Sequence, residues 1–326
     1  MGNKREEILE KLVSFYKSIP GSNGKKFFDD LLHESCENAE ICWKKYEDND
    51  KNAPWNYFSL PFIGKKYEGD LVCVAANVNN GGGRNLQETC IRGFTVMEKE
   101  LLDNEKRYGY KYDPGVIQSF TNGSANQKHK LLLKKYKSEN PKQKHFIKIN
   151  FEKGMQKAVD IGDLEKPKKG KPYSGTELWH RVAAYSAILL GYSPDVSDDF
   201  DKLAEIYEHI IFMDAVKCSP ATQVSEMTAA MEKLCIENIF FKELEIIKPK
   251  NILIIYKRAA ELIKNNAYKY IEGSKDFPGT DDFDHCKLEI GGESVNVYYL
   301  VHPSRHGRGN RIGLFEDFAA FVESKK

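Results

Sequence analysis

The sequence predicts an α/β fold, a three-layer doubly wound sheet with four mainly parallel core strands. Short, apolar, partly β-branched runs recur along the chain, and the segments between them repeat their apolar residues at helical spacing. Glycine, asparagine, histidine and cations collect just after each apolar run, where open α/β sheets hold their ligands.

The strand runs are Leu71–Ala76 (LVCVAA), Ile210–Val216 (IIFMDAV), Asn251–Tyr256 (NILIIY) and Val295–Val301 (VNVYYLV). Continuous apolar runs of this length suit parallel strands buried on both faces. Met1 to Pro20 reads as an amphipathic helix, with Ile8, Leu9, Leu12, Val13 and Phe15 among charges. Gly175 to Leu190 reads as a helix before the second strand. Ser225 to Ile247 reads as another, with Met227, Met231, Leu234, Phe241 and Leu244 at helical spacing and Asn238 as the one polar member of that stripe. Arg258 to Asn265 and Leu314 to Ser324 complete the helices. Strands alternating with helices imply βαβ units and a parallel sheet.

The expected organisation is a single α/β domain over residues 1–326, with an N-terminal helical extension at 1–50 and a lysine-rich insertion at about 108–171. The chain of 326 residues can bury a sizeable core. The insertion lacks a strong period. Its stretch Lys128 to Lys171 holds 14 Lys against 5 acidic residues; it is either a solvated segment or a basic surface for nucleic acid. Net charge over the whole chain is +1, so no general polyanion-binding character is expected. No apolar run is long enough to span a bilayer, and the N-terminus lacks the apolar core and cleavage site of a signal peptide. A cytoplasmic monomer without membrane contact is expected.

After the four runs come Asn77-Val-Asn-Asn-Gly-Gly-Gly-Arg84, Lys217-Cys-Ser-Pro220, Lys257-Arg258 and His302-Pro-Ser-Arg-His-Gly-Arg-Gly-Asn310. Together they suit a polar, anionic ligand. The first is glycine-rich but lacks either nucleotide fingerprint, so no nucleotide cofactor is expected. Its glycines allow a tight turn or a close approach of backbone to ligand. In the last, Pro303 ends the strand, and Arg305, His306, Arg308 and Arg311 crowd a short loop able to follow a phosphate backbone. No G-x-S-x-G elbow occurs, which argues against an α/β hydrolase.

A strand running into HPS, then a basic loop and a closing helix, is similar to the second signature of the uracil-DNA glycosylase superfamily. The first signature there, G-[MI]-N-P-G in the single-strand-selective and mismatch-specific branches, aligns with Ala75, Ala76, Asn77, Val78 and Asn79, of which only the asparagine is retained. Between them, FMDAVKCSP resembles the uracil-recognition strand of the thermostable branch, and CIENIFFKELEIIKPKNILII the helix and strand that follow. The likeness covers roughly Cys36 to Phe321, without the insertion from Tyr108 to Lys171.

The resemblance implies a glycosylase that flips uracil or a related deaminated base out of single- or double-stranded DNA and hydrolyses its N-glycosidic bond, in base excision repair. It implies that neutral His302 donates to the uracil O2 position and that Asn77 positions the attacking water. Asp214 and Asn79 fall at base-binding positions. Phe94, in IRGF, either stacks on the base or packs in the core. Ser304, Arg305, Arg308 and Lys217 are the implied DNA contacts. Asp214 departs from the family's usual asparagine. An ionised carboxylate only accepts hydrogen bonds and would face O4 unfavourably. Either Asp214 is protonated in a desolvated pocket, or base preference has changed, or catalysis is lost. In the last case the chain is a catalytically silent nucleic-acid-binding member of the superfamily.

Seven cysteines in a chain without a secretion signal do not suggest a disulfide framework. The resemblance places Cys218 and Cys235 at two ligand positions of the thermostable branch's [4Fe–4S] cluster. Cys36 and Cys42 are then the remaining ligands, in C-x5-C rather than C-x2-C spacing. The other reading is four unrelated buried thiols. Cys73, Cys90 and Cys286 are expected to pack in the core or to have no role.

Overall fold

The computed structural model describes residues 4–20, 61–64, 66–77, 174–198, 200–217, 229–255, 257–267, 270–273, 276–300 and 314–326. Its helices are α1 (Lys4–Ser18), α2 (Ser174–Leu189), α3 (Phe200–Ile206), α4 (Ala229–Cys235), α5 (Phe241–Ile247), α6 (Lys257–Asn266) and α7 (Leu314–Glu323). Its strands are β1 (Phe62–Ile63), β2 (Leu71–Asn77), β3 (Ile210–Val216), β4 (Asn251–Ile254), β5 (Tyr270–Gly273), β6 (Phe283–Ile290) and β7 (Glu293–Leu300). They form one sheet of 7 strands in the order β1-β3-β2-β4-β7-β6-β5.

The four strands expected from sequence are its middle: β3, β2, β4 and β7 are mutually parallel neighbours. β2 shows why such a run is apolar throughout. Leu71 and Cys73 enter one apolar layer with Val182, Tyr185, Leu203 and Phe318, from α2, α3 and α7. Val72, Val74 and Ala76 enter the opposite layer with Leu12, Phe240, Leu244 and Leu262, from α1, the segment before α5, α5 and α6. Each face of the sheet is thus covered by helices, the three-layer arrangement of a doubly wound sheet.

Three antiparallel strands were not legible as strands. β1 pairs with β3 at one edge, and β5, β6 and β7 form a meander at the other. β6 is half exposed, carrying Asp284, Lys287 and Glu289, so it lacks the continuous apolar signature. Its hairpin with β7 turns through Gly291 and Gly292, at φ 59° and 81°, between paired Ile290 and Glu293. Two left-handed residues in a two-residue loop match the twist of the flanking strands. Strand limits also shift: the third run ends at Ile254 rather than Tyr256, and the fourth begins at Glu293.

The segment expected as one helix from Ser225 is helical from Ala229 within the described residues, with a π turn at Ile236–Phe240 between α4 and α5. The extra residue per turn rotates the apolar face. Ile236, Ile239, Phe240, Phe241, Glu243, Leu244 and Ile247 are buried, and Asn238 is exposed. Asn238 is therefore not part of the buried stripe. α5 stops where Lys248 takes a left-handed conformation, its N–H bonding back to the Leu244 carbonyl, and Pro249 follows.

Candidate functional site

Four parallel strands bring their carboxyl ends to one edge. Order along the sheet then locates the crevice. From β2 the chain returns through α2 and α3 on one face to β3; from β3 it crosses through α4 and α5 on the other face to β4, on the far side of β2. Connections diverge between β2 and β4, the topological switch point where such sheets bind ligands.

β4 stops short there. Its last pair is Val74↔Ile254, the Ile255 N–H donates to the Val74 carbonyl, and the chain enters α6 at Lys257. β2 continues to Asn77, in register with Val216 of β3, and β7 continues to Leu300. Asn77 thus lies about 10 Å beyond the last β4 pair, and β2 and β7 flank the notch at roughly 10 Å from each other, from ordinary rise and strand spacing. His302 follows Leu300 by two positions; His302, Ser304, Arg305 and Arg308 lie outside the described residues, as do Val78, Asn79 and Phe94. Residues 301–313, which carry the basic loop, are bounded by two anchored elements. Leu300 of β7 is fully buried, and α7 buries Phe315 and Phe318.

Asp214 is buried, 8% exposed, near the carboxyl end of β3 and opposite Ala75 of β2. Ile211, Met213 and Ala215 turn to the layer of α4–α6, so strand alternation sends Asp214 toward the α2 layer. Ala75 and Ala76 on the neighbouring strand give this part of the sheet little side-chain bulk.

Lys217 corrects the sequence expectation. Expected on DNA phosphate, it is 0% exposed, and its Nζ lies 2.5 Å from Glu243 Oε2 on α5 and 6.0 Å from the Phe240 ring centroid. The Tyr16 hydroxyl of α1 donates to Glu243 Oε1 at 2.5 Å. Tyr16 and Glu243 are also fully buried. Nζ and Oε2 sit at ion-pair distance but out of line for a hydrogen bond. A lysine at a strand end ordinarily extends its ammonium into water; here a carboxylate under the edge draws it inward. Burial pushes the Glu243 carboxyl above its ordinary range, against the opposing pull of Lys217 and Tyr16, with the charge of Asp214 adding to the rise.

Sequence reading missed Tyr16 and Glu243, although both had a signal. Tyr16 continues the apolar spacing of Ile8, Leu9, Leu12 and Val13, and Glu243 interrupts an otherwise apolar face between Phe240, Phe241 and Leu244. A charge on a buried face implies a partner.

Of the four expected cluster ligands, only Cys235 is described. It is buried at the end of α4, which packs on β3, the strand that leads toward Cys218. Cys36, Cys42 and Cys218 lie outside the described residues. Among the described residues, no group of three or more His, Cys, Asp or Glu gathers to hold a metal ion, and one buried thiol does not make a cluster site. Cys73 and Cys286 are core thiols, as expected. Burial pushes each up to about 12, and Cys73 Sγ lies 3.1 Å from the Ser186 hydroxyl. Thiolates are the reactive form, so at pH 8 neither should take up iodoacetamide in the folded protein. Mass spectrometry should find both alkylated only after denaturation.

No helix among the described residues is long and apolar enough to cross a membrane. No family model, curated protein or solved structure matches the chain.

Proposed function

We propose that this chain is a DNA glycosylase of the uracil-DNA glycosylase type, acting at the notch over β4. The observation that carries the reading is the placement of Asn77 and of the segment leading to His302 on β2 and β7, the two strands flanking β4 at the switch point. The resemblance assigns water positioning to the first and donation to the departing base to the second, and the chemistry needs both on one nucleotide.

Breaking an N-glycosidic bond develops positive charge on the sugar and negative charge on the base. A fixed donor aimed at the base oxygen stabilises that anion without reorganisation. His302 fills this role as a neutral imidazole, and Asn77 holds the water that captures the sugar. Arg305, Arg308 and Ser304 hold phosphates along the loop, giving an affinity that falls steeply with salt. Asp214 reads the base edge from β3. Buried at 8% exposure, it departs from the family's usual asparagine at a position screened from water, which supports a changed base preference.

A duplex carrying one uracil tests the reading. Wild type should leave an alkali-labile site, and Asn77→Ala or His302→Ala should slow its formation by about 100-fold or more. Asp214→Asn should raise uracil release relative to hypoxanthine and xanthine. Retention of the lesion duplex without cleavage would instead favour a catalytically silent binding member, for which the burial of an aspartate at the base-reading position is the supporting observation. No retention and no cleavage would remove both readings. A [4Fe–4S] cluster on Cys36, Cys42, Cys218 and Cys235 belongs to the same proposal. Anaerobically purified protein should then be brown with broad visible absorbance, and a colourless, iron-free, folded preparation would refute it.

A further inference from the structure

We propose that Tyr16, Glu243 and Lys217 are positioning residues, through which the N-terminal helix α1 sets the carboxyl end of β3 and hence the placement of Asp214 at the crevice.

Three elements distant in sequence meet at one carboxylate. α1 supplies the Tyr16 hydroxyl, α5 supplies Glu243, and the residue directly after β3 supplies Lys217. Both carboxylate oxygens are engaged, one by each partner, at 2.5 Å. All three side chains are fully buried. That arrangement is poorly explained by stability alone. Removing an ammonium and a carboxylate from water is costly, and apolar residues of the same volume at these positions would hold α5 to the sheet as well or better. What the Tyr16–Glu243 hydrogen bond adds is direction, since it is satisfied in one arrangement and penalised in its neighbours, and the carboxylate it fixes places the charge that draws Lys217 inward.

The direction here is set on the strand end. β3 pairs with β2 as far as Asn77↔Val216, and the next residue is Lys217. With its side chain drawn under the edge toward Glu243, the backbone at Val216 and Lys217 has one orientation. Asp214 lies three residues earlier on the same strand, within electrostatic reach of Glu243. The anchor of the strand end is therefore also the anchor of the residue that reads the ligand. α1 takes part through Tyr16, whose ring packs in the apolar layer with Leu12, Val13 and Phe240 while its hydroxyl completes the carboxylate.

The experiment uses the full chain and two variants chosen to keep the fold. Tyr16→Phe removes one hydroxyl at constant ring volume. Lys217→Met with Glu243→Leu removes both charges together and leaves neither orphaned. Hydrogen exchange by mass spectrometry on each variant reads the strand end without any assumption about activity. In Tyr16→Phe the amides of Ala215, Val216 and Lys217 should exchange about tenfold faster, with those of β4 and β7 unchanged, as expected when one segment opens locally. Uniform acceleration, or none, would overturn the proposal. A second measurement rests on the glycosylase reading: the ratio of uracil to hypoxanthine release should shift in the Lys217→Met, Glu243→Leu variant while its urea midpoint recovers most of what Glu243→Leu alone loses. A ratio equal to that of wild type would overturn the link to Asp214. If wild type releases no base, the glycosylase reading fails and the exchange pattern alone decides the positioning role.

Discussion

Glu243→Leu should lower the unfolding free energy by about 3–5 kcal/mol, the usual cost of leaving one member of a buried pair without its partner. Leucine fills most of the space of the glutamate, so lost packing is a small part of the effect. The dominant contribution is the Lys217 ammonium, 0% exposed and left facing an apolar side chain beside the Phe240 ring. It must remain as an uncompensated charge, give up its proton, or reach water by moving the end of β3, each at a cost. The Tyr16 hydroxyl loses its bond to Glu243 in the same change, which adds to the cost. Urea unfolding followed by tryptophan fluorescence gives the difference directly. Adding Lys217→Met should return most of the loss, because the charge that made the single change costly is gone. A single variant within about 1 kcal/mol of wild type would mean that Lys217 reaches solvent at little cost, and would remove the basis for its role at the strand end.

What was legible in the sequence and what was not follow one physical division. β2, β3, β4 and β7 announced themselves because a parallel strand buried on both faces has no place for polar side chains; Leu71 to Ala76 and Ile210 to Val216 are unbroken but for Asp214. That exception is the residue placed at the site. β5 and β6 were not read as strands: β6 carries Lys287 and Glu289 on one face and Asp284 on the other, which breaks any continuous apolar run. Their readable signal was the Gly291–Gly292 pair, flanked by residues that end and begin strands. Asn238 was misplaced because helical periodicity assumes one turn size, and the π turn at Ile236–Phe240 changes it. Lys217 was misread for a different reason. From sequence a cation at a strand end points to anions outside, and only the placement of α5 beneath the sheet reveals an internal carboxylate. The edge that holds the candidate site was legible from the residues after each strand. The adjacency of those strand ends depends on strand order, which chain order alone does not dictate.

Phe318→Ala should lower stability by about 3–5 kcal/mol and act on the basic loop through the helix that follows it. Phe318 is fully buried at the centre of an aromatic group that joins α7 to the rest of the molecule. Its ring meets Tyr185 of α2 edge-on, at 5.1 Å between centroids and 88°, and lies 5.1 Å from Phe283 of β6. Tyr298 of β7 stands at 6.5 Å, also nearly perpendicular. Edge-to-face contacts of this kind add to the area that the ring buries, and alanine would leave a cavity among rings with few alternative packings. The consequence for the site is mechanical. Residues 301–313 run from the end of β7 to the start of α7, so α7 is the downstream anchor of the loop that carries His302, Arg305 and Arg308. On the proposed function, loosening that anchor weakens the fixed end from which the basic segment would be presented to a phosphate backbone. The thermal midpoint should therefore fall, and, on the proposed DNA-glycosylase reading, affinity for single-stranded DNA should weaken even at temperatures where the variant is fully folded. Far-ultraviolet circular dichroism establishes the folded range, and fluorescence anisotropy with a labelled oligonucleotide measures binding within it. A variant that loses stability but binds as wild type would show that α7 holds the fold together without positioning the loop.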